Sequence, residues 1–156
     1  MSFSTKWTYH VYLSFKGTDT RNTFAGDLYK HLNQKGINTF FRDENLQGGE
    51  HITPSLLNAI QHSRIAIIVF SEHYAHSTFC LDELVNILEY VNGQCRFVLP
   101  VFYCVDPLHV RRQRGSYGEA LEYHERRFQG NKEKINEWRE ALFAVTNLSG
   151  LLFQHG

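Results

Sequence analysis

Residues 9–15 alternate, with Tyr9, Val11, Leu13 and Phe15 on one side and His10, Tyr12 and Ser14 on the other. This is the period-two pattern of a strand. Lys16-Gly17-Thr18-Asp19 follows as a tight loop, and Thr18 or Asp19 is expected to cap a helix over residues 20–35. Within it Phe24, Leu28 and Leu32 recur at spacing four, and Gly36 is placed to end the helix. Residues 37–41 read as a second short strand, followed by a polar loop over residues 42–51 that contains Gly48-Gly49. Thr53-Pro54 opens the next helix, with threonine as cap and proline at the first helical position. The unbroken run Ile65-Ala66-Ile67-Ile68-Val69-Phe70 suits a strand buried on both faces of a parallel sheet.

Residues 79–91 read as a helix with Leu81, Leu84, Val85 and Leu88 apolar, and residues 97–103 as a fourth strand. Pro100 inside that strand points to a position near the sheet edge or a bulge. Residues 105–115 look irregular, residues 117–127 helical, and residues 135–148 form a last helix with Ile135, Trp138, Leu142 and Val145 at helical spacing. Residues 150–153 are a weak candidate for a fifth strand. Strands alternating with helices imply an α/β fold, a flavodoxin-like doubly wound parallel sheet of four to five strands flanked by helices. In that architecture ligands bind beyond the carboxyl ends of the strands. Residues 1–7 are expected as an N-terminal tail and residues 8–153 as the domain.

Composition narrows the function. The 156 residues are the size of one domain, and 42% hydrophobic with 21% charged residues is a globular balance. Sixteen basic residues offset sixteen acidic ones, which argues against a dedicated nucleic-acid binder. The longest apolar run, residues 65–70, is too short for a membrane span, and the first residues lack the apolar core of a signal peptide. Cys80, Cys95 and Cys104 form no C-x-x-C pair, which suits a reduced cytosolic setting. Phosphate-cradle glycine motifs and the G-x-S-x-G elbow are absent. His73 and His76, with Cys80 nearby, read as solvated side chains and no metal site is expected. Arg111-Arg112-Gln113-Arg114 is a solvated loop or a phosphate-contacting patch.

Three segments follow predicted strands where such a sheet opens its crevice: residues 14–17, residues 71–74 and residues 79–84. Glu83 has two readings, an acid near the helix start complementing the dipole, as Asp82 would, or a carboxylate beside an aromatic and aimed at the crevice. Cys80 reads as a small buried hydrophobe.

Residues 9–21, residues 43–52 with Leu46-x-x-Gly49-x-x-Ile52, residues 63–84, residues 99–118 and residues 138–150 resemble, in order, the blocks of plant TIR domains. The most diagnostic are Ser14-Phe15-Lys16-Gly17 and Cys80-Leu81-Asp82-Glu83-Leu84. The resemblance implies an innate-immunity signalling module that self-associates as dimers to tetramers, with other TIR domains as further partners. It also implies an NAD hydrolase that cleaves the nicotinamide–ribose bond to ADP-ribose-type messengers. Glu83 is then the catalytic glutamate, and Ser14, Phe15, Lys16, Gly17, Ser71, Tyr74, Phe79 and Cys80 line the substrate site. Lys16 is expected to meet pyrophosphate, and Phe15 and Phe79 to pack on rings. Asp43, Leu46, Gly48, Gly49 and Ile52 fall on the BB loop. Phe24, Asp27 and Lys30 of the first helix and Trp138 and Arg139 of the last fall on self-association faces.

The resemblance further implies NAD as substrate, no tightly bound cofactor, stimulation by divalent cations, and a cytoplasmic or nucleocytoplasmic location without membrane contact. Two alternatives stand beside it, a non-catalytic homotypic interaction module and a cyclic-nucleotide synthetase acting on RNA or DNA through Cys80. The sequence departs from the usual pattern at Phe79 (Trp), Lys16 (Arg), Thr18 (Glu) and His10 (Asp). Phe79 keeps an aromatic wall of different size, and Lys16 loses the bidentate fork of arginine.

Overall fold

The alternating segment near the start of the chain becomes β1 (Tyr9–Ser14), flanked by β2 (Thr39–Phe41) and β3 (Ser63–Phe70). With β4 (Phe97–Tyr103) and β5 (Leu151–Phe153) these strands form a parallel sheet in the order β2-β1-β3-β4-β5. The computed structural model describes residues 7–20, 23–42, 51–91, 97–148 and 150–154. The strand order is the flavodoxin-like one, and it reverses between β1 and β3. Register sets Leu13 opposite Phe41 on one side and Ile67 on the other.

The weak fifth strand forms, paired with β4 through Val101–Leu151, Phe102–Leu152 and Tyr103–Phe153. Pro100 lies opposite Ile68, one strand in from that edge, and β5 joins only from Val101 onward. A Cβ on Gly150 would come within 2.6 Å of the Pro100 carbonyl oxygen, so only glycine lets β5 start this close to β4.

The helix predicted over residues 20–35 is instead two pieces, α1 (Gly17–Thr20) and α2 (Phe24–Gln34). Asp19 caps neither, because its carboxylate is engaged across the sheet end. Gly36, at φ +79°, ends α2 as expected. α3 (Pro54–Gln61) starts on Thr53, whose hydroxyl accepts from Leu56 N at 3.2 Å. A single 3-10 turn (Tyr74–His76) leads into α4 (Thr78–Val91). The segment expected to be irregular contains α5 (Pro107–Arg111), capped by Asp106. α6 (Ser116–Arg127) precedes α7 (Lys132–Thr146), which begins earlier than predicted because Asn131 caps Lys134 N.

Two apolar clusters sit on opposite faces of the sheet. Val11, Leu13, Phe15, Ile67, Val69 and Val101 meet Ala25 and the apolar side of α2. Tyr12, Ile68, Phe70 and Phe102 meet α3, α4, α6 and α7. The side of β1 that reads as polar is therefore fully buried at Tyr12 and Ser14. Burial on both faces leaves these two hydroxyls needing partners inside the protein.

Candidate functional site

Ser77 caps α4, its hydroxyl accepting from Cys80 N at 3.1 Å. Two turns of the helix then carry Glu83 beneath β1. Glu83 is 0% exposed. Its Oε2 accepts from Tyr12 Oη at 2.5 Å and its Oε1 from Ser14 Oγ at 2.5 Å. Ser14 Oγ also lies 2.8 Å from Tyr74 Oη, which in turn donates to the Cys80 carbonyl at 3.2 Å. Neither reading of Glu83 foresaw full enclosure: it does not sit in the first turn of α4, and its side chain has no exposed surface.

The residue that balances Glu83 was missed in the sequence. Arg42, expected in a polar loop after β2, is buried, and its Nη1 donates to Glu83 Oε1 at 2.7 Å. Its Nη2 donates to the Phe15 carbonyl. The guanidinium carbon lies 4.7 Å from the centroid of the Phe15 ring and 5.0 Å from that of Phe79, within cation–π range of both. Burial works against the Arg42 cation, but the adjacent Glu83 charge outweighs it and lifts the pKa above the ordinary guanidinium value. Burial, reinforced by the Glu83 charge, pushes the Tyr12 phenol well above its ordinary value, so Tyr12 keeps its proton and remains a donor. A buried acid signals the need for a cation, but sequence spacing gave no hint of which.

A second cluster lies beyond the ends of β1 and β3. Asp19 Oδ2 accepts from Ser71 Oγ at 2.6 Å and from His73 N at 2.8 Å, and Asp19 Oδ1 lies 3.0 Å from His73 Nδ1. Burial raises the Asp19 pKa, yet these hydrogen bonds from Ser71 and His73 together hold it below the usual carboxylate value. The cluster borders an open cleft of about 300 Å³ that also involves Thr18, Tyr103 and Cys104. Gly17 begins α1 at its margin, and Lys16 is half-buried just before it. The predicted site residues thus divide: Ser14, Phe15, Tyr74, Phe79, Cys80 and Glu83 come together inside, while Ser71 faces the cleft cluster.

Cys80 is buried, its thiol donates to the Phe15 carbonyl at 3.6 Å, and burial pushes its pKa up. Asp82 is not a dipole partner alone; it accepts from Trp138 Nε1 at 2.9 Å and pairs with Lys134 Nζ at 2.9 Å. This corrects Trp138, which is 2% exposed and belongs to the core between α4 and α7, not to an association face. Phe24 likewise turns inward, stacking on Tyr103 at 4.8 Å. Asp27 and Lys30 are exposed on α2, and Arg139 pairs with Glu125 on the surface. Arg111, in the basic run, lies over the Phe143 ring at 4.9 Å. Ile52 is half-buried ahead of α3, whereas Asp43, Leu46, Gly48 and Gly49 lie outside the described residues. Among the described residues no group of three His, Cys, Asp or Glu side chains is arranged to hold a metal ion, and no helix is long and apolar enough to cross a membrane.

A parallel sheet in 2-1-3-4-5 order, with a carboxylate cluster and a cleft at its topological switch, defines a flavodoxin-like α/β domain. The chain belongs to the TIR domain family, which it matches over residues 8–155. It is 53% identical to the disease resistance protein RPV1 of Vitis rotundifolia over 143 residues, covering 92% of this chain and 10% of that protein. It is 48% identical to the TMV resistance protein N of Nicotiana glutinosa over 149 residues, covering 96% of this chain and 13% of that protein. The chain therefore spans about a tenth of the length of these relatives. The TIR domains in the structure of the activated Roq1 resistosome recognising the pathogen effector XopQ superpose with a TM-score of 0.87 at 47% identity, covering 93% of this chain and 87% of that one. A Hydra magnipapillata Toll-related receptor TIR domain, 20% identical with a TM-score of 0.52 over 86% of this chain and 98% of that one, shares the fold.

Proposed function

We propose that this domain signals in plant innate immunity as an NAD hydrolase that works when copies of it assemble. The relatives are disease resistance proteins, and the Roq1 TIR domains belong to an activated assembly. A cytoplasmic or nucleocytoplasmic setting supplies both NAD and reduced thiols. The observation that carries the reading is the Glu83 cluster: one carboxylate beside a cation that lies between Phe15 and Phe79.

In the reaction the ribose C1′–N1 bond breaks and its electron pair stays on the ring nitrogen, leaving neutral nicotinamide. C1′ passes through an oxocarbenium-like transition state, as in glycoside hydrolysis. Water adds to C1′ and releases a proton, giving ADP-ribose. The Glu83 carboxylate stabilises the developing cation or holds the ribose hydroxyls. Phe15 and Phe79 supply apolar walls for the ring. NAD and water are the only reactants, and any divalent-cation stimulation acts on assembly or on the pyrophosphate.

A non-catalytic interaction module is the second reading, favoured by the full enclosure of Glu83 in this conformation. Cyclic-nucleotide synthesis through Cys80 gains no support from a buried thiol whose pKa is pushed up. Nicotinamide release measured over a range of protein concentrations separates the first two. A rate rising faster than linearly with concentration is expected for the assembled enzyme, and no turnover at any concentration, crowding agent included, would leave the interaction module.

A further inference from the structure

We infer that Arg42 is an internal stand-in for the cationic ring of the substrate, keeping Glu83 occupied until the side chain is displaced. The inference rests on the NAD-cleavage reading and says how that site is kept silent. Three observations meet in one side chain. Arg42 Nη1 is 2.7 Å from Glu83 Oε1. Its guanidinium carbon is 4.7 Å and 5.0 Å from the ring centroids of Phe15 and Phe79. Side-chain exposure of the pair is 5% for Arg42 and 0% for Glu83.

A guanidinium is a flat, delocalised group carrying one positive charge. The nicotinamide ring of NAD is also flat, delocalised and singly positive. Two aromatic rings and a carboxylate favour either, and Arg42 already takes the position against both rings and Glu83. Every oxygen of Glu83 is engaged: Oε1 by Ser14 and Arg42, Oε2 by Tyr12. Oε1 already carries two donors, so a new group reaches that oxygen only as one of them leaves. Tyr12 and Ser14 are fully buried and paired in register with Ala66 and Ile68 on β3. Arg42 directly follows β2, the edge strand, and is held by its side-chain contacts.

Exchange of one flat cation for another leaves Glu83 paired before and after, so neither resting state carries a lone buried charge. Cleavage then gives a neutral ring. Neutral nicotinamide has no charge with which to hold Glu83 against Arg42, so the stand-in returns as product leaves. Assembly-dependent activity would follow from this geometry: something must make displacement of Arg42 favourable, and binding energy between copies is one source.

The test uses the domain as it exists, with Arg42→Ala and Arg42→Lys. Nicotinamide release is followed at dilute protein, with millimolar guanidinium chloride or with sodium chloride at equal ionic strength. Arg42→Ala is expected to exceed the wild-type rate by about tenfold or more, as removal of a competing occupied state allows. Guanidinium, but not sodium, returns it towards the wild-type rate. Arg42→Lys, which keeps the charge and loses the flat stacking group, falls between. Circular dichroism checks that each variant is folded, and if Arg42→Ala is not, Arg42→Lys alone must exceed wild type.

Calorimetric titration with 1-methylnicotinamide, a flat cation, and with neutral nicotinamide gives a readout independent of turnover. The cation binds Arg42→Ala more tightly than wild type, and nicotinamide shows no such gain. Variants no faster than a wild type that itself turns over when concentrated, with no gain in cation binding, would overturn the stand-in. If no protein cleaves NAD at any concentration, the cleavage reading fails. Cation binding gained on Arg42→Ala would then still support the stand-in geometry, and its absence would end that too.

Discussion

Two carboxylates near the carboxyl end of β1 are held in opposite ways. Glu83 is wholly enclosed and receives a cation and two hydroxyls. The Asp19 side chain is 14% exposed at the edge of an open cleft and is held by the Ser71 hydroxyl, the His73 N–H and the His73 ring. The difference follows from desolvation. A carboxylate with some access to water is satisfied by hydrogen bonds and a histidine, whereas one removed from water needs an opposite charge to remain ionised. Asp19 works as a clasp that ties the end of β1 to the segment after β3. Glu83 instead forms a buried ion pair with Arg42, the contact whose exchange is proposed above.

Removing the buried charge should have the largest effect. Glu83→Gln leaves Arg42 buried without its counter-charge and is expected to cost about 3–5 kcal/mol in urea denaturation. Asp19→Asn breaks the clasp at a site that water reaches, and about 1–2 kcal/mol is expected from the same measurement. Comparable losses for the two variants would remove the distinction between them.

Proton linkage separates the clasp from its surroundings. His124 and His76 both have pKa values lowered by burial from the ordinary histidine value of 6.5. His124 is buried, Nε2 lies 2.9 Å from the Ala75 carbonyl oxygen, and Nδ1 has no partner among the described residues. The unfolded chain therefore binds protons before the folded one as pH falls below about 6.5, and stability is lost through that window down to the folded values. Asp19, lowered from 3.8, adds a second loss at more acidic pH, since its contribution is complete above 3.8 and disappears as pH falls through the folded value. Melting temperature against pH should show His124→Gln shrinking the first loss and Asp19→Asn the second. The smallest change is expected at the exposed Arg139–Glu125 pair, where Arg139→Ala should alter stability by less than about 1 kcal/mol.

Much of the fold was legible because a parallel sheet imposes long apolar runs and regular helix spacing. The run over residues 65–70 and even the faint strand at residues 151–153 were readable in this way. The site was only half legible. Glu83, Ser14 and Phe79 were found through a motif, but Arg42 was read as loop because a cation at a strand end is indistinguishable in sequence from a solvated one. Tyr12 was placed on a polar face, since alternation says which residues share a side and not that both sides are buried. The helix expected over residues 20–35 is replaced by α1 and α2, and Asp19, read as its cap, lies within α1 with its carboxylate held by a distant serine and histidine. Trp138 shows the reverse: its spacing with Ile135, Leu142 and Val145 already marked it as core, and that local signal prevailed over the association role.

The central claim is that Glu83 performs nicotinamide release. The most direct measurement compares concentrated wild-type domain with Glu83→Gln, both shown to be folded at the assay temperature, by chromatography of nicotinamide released from NAD. The account predicts release by the wild type and none above the protein-free blank by Glu83→Gln. Equal release by the two proteins would contradict it.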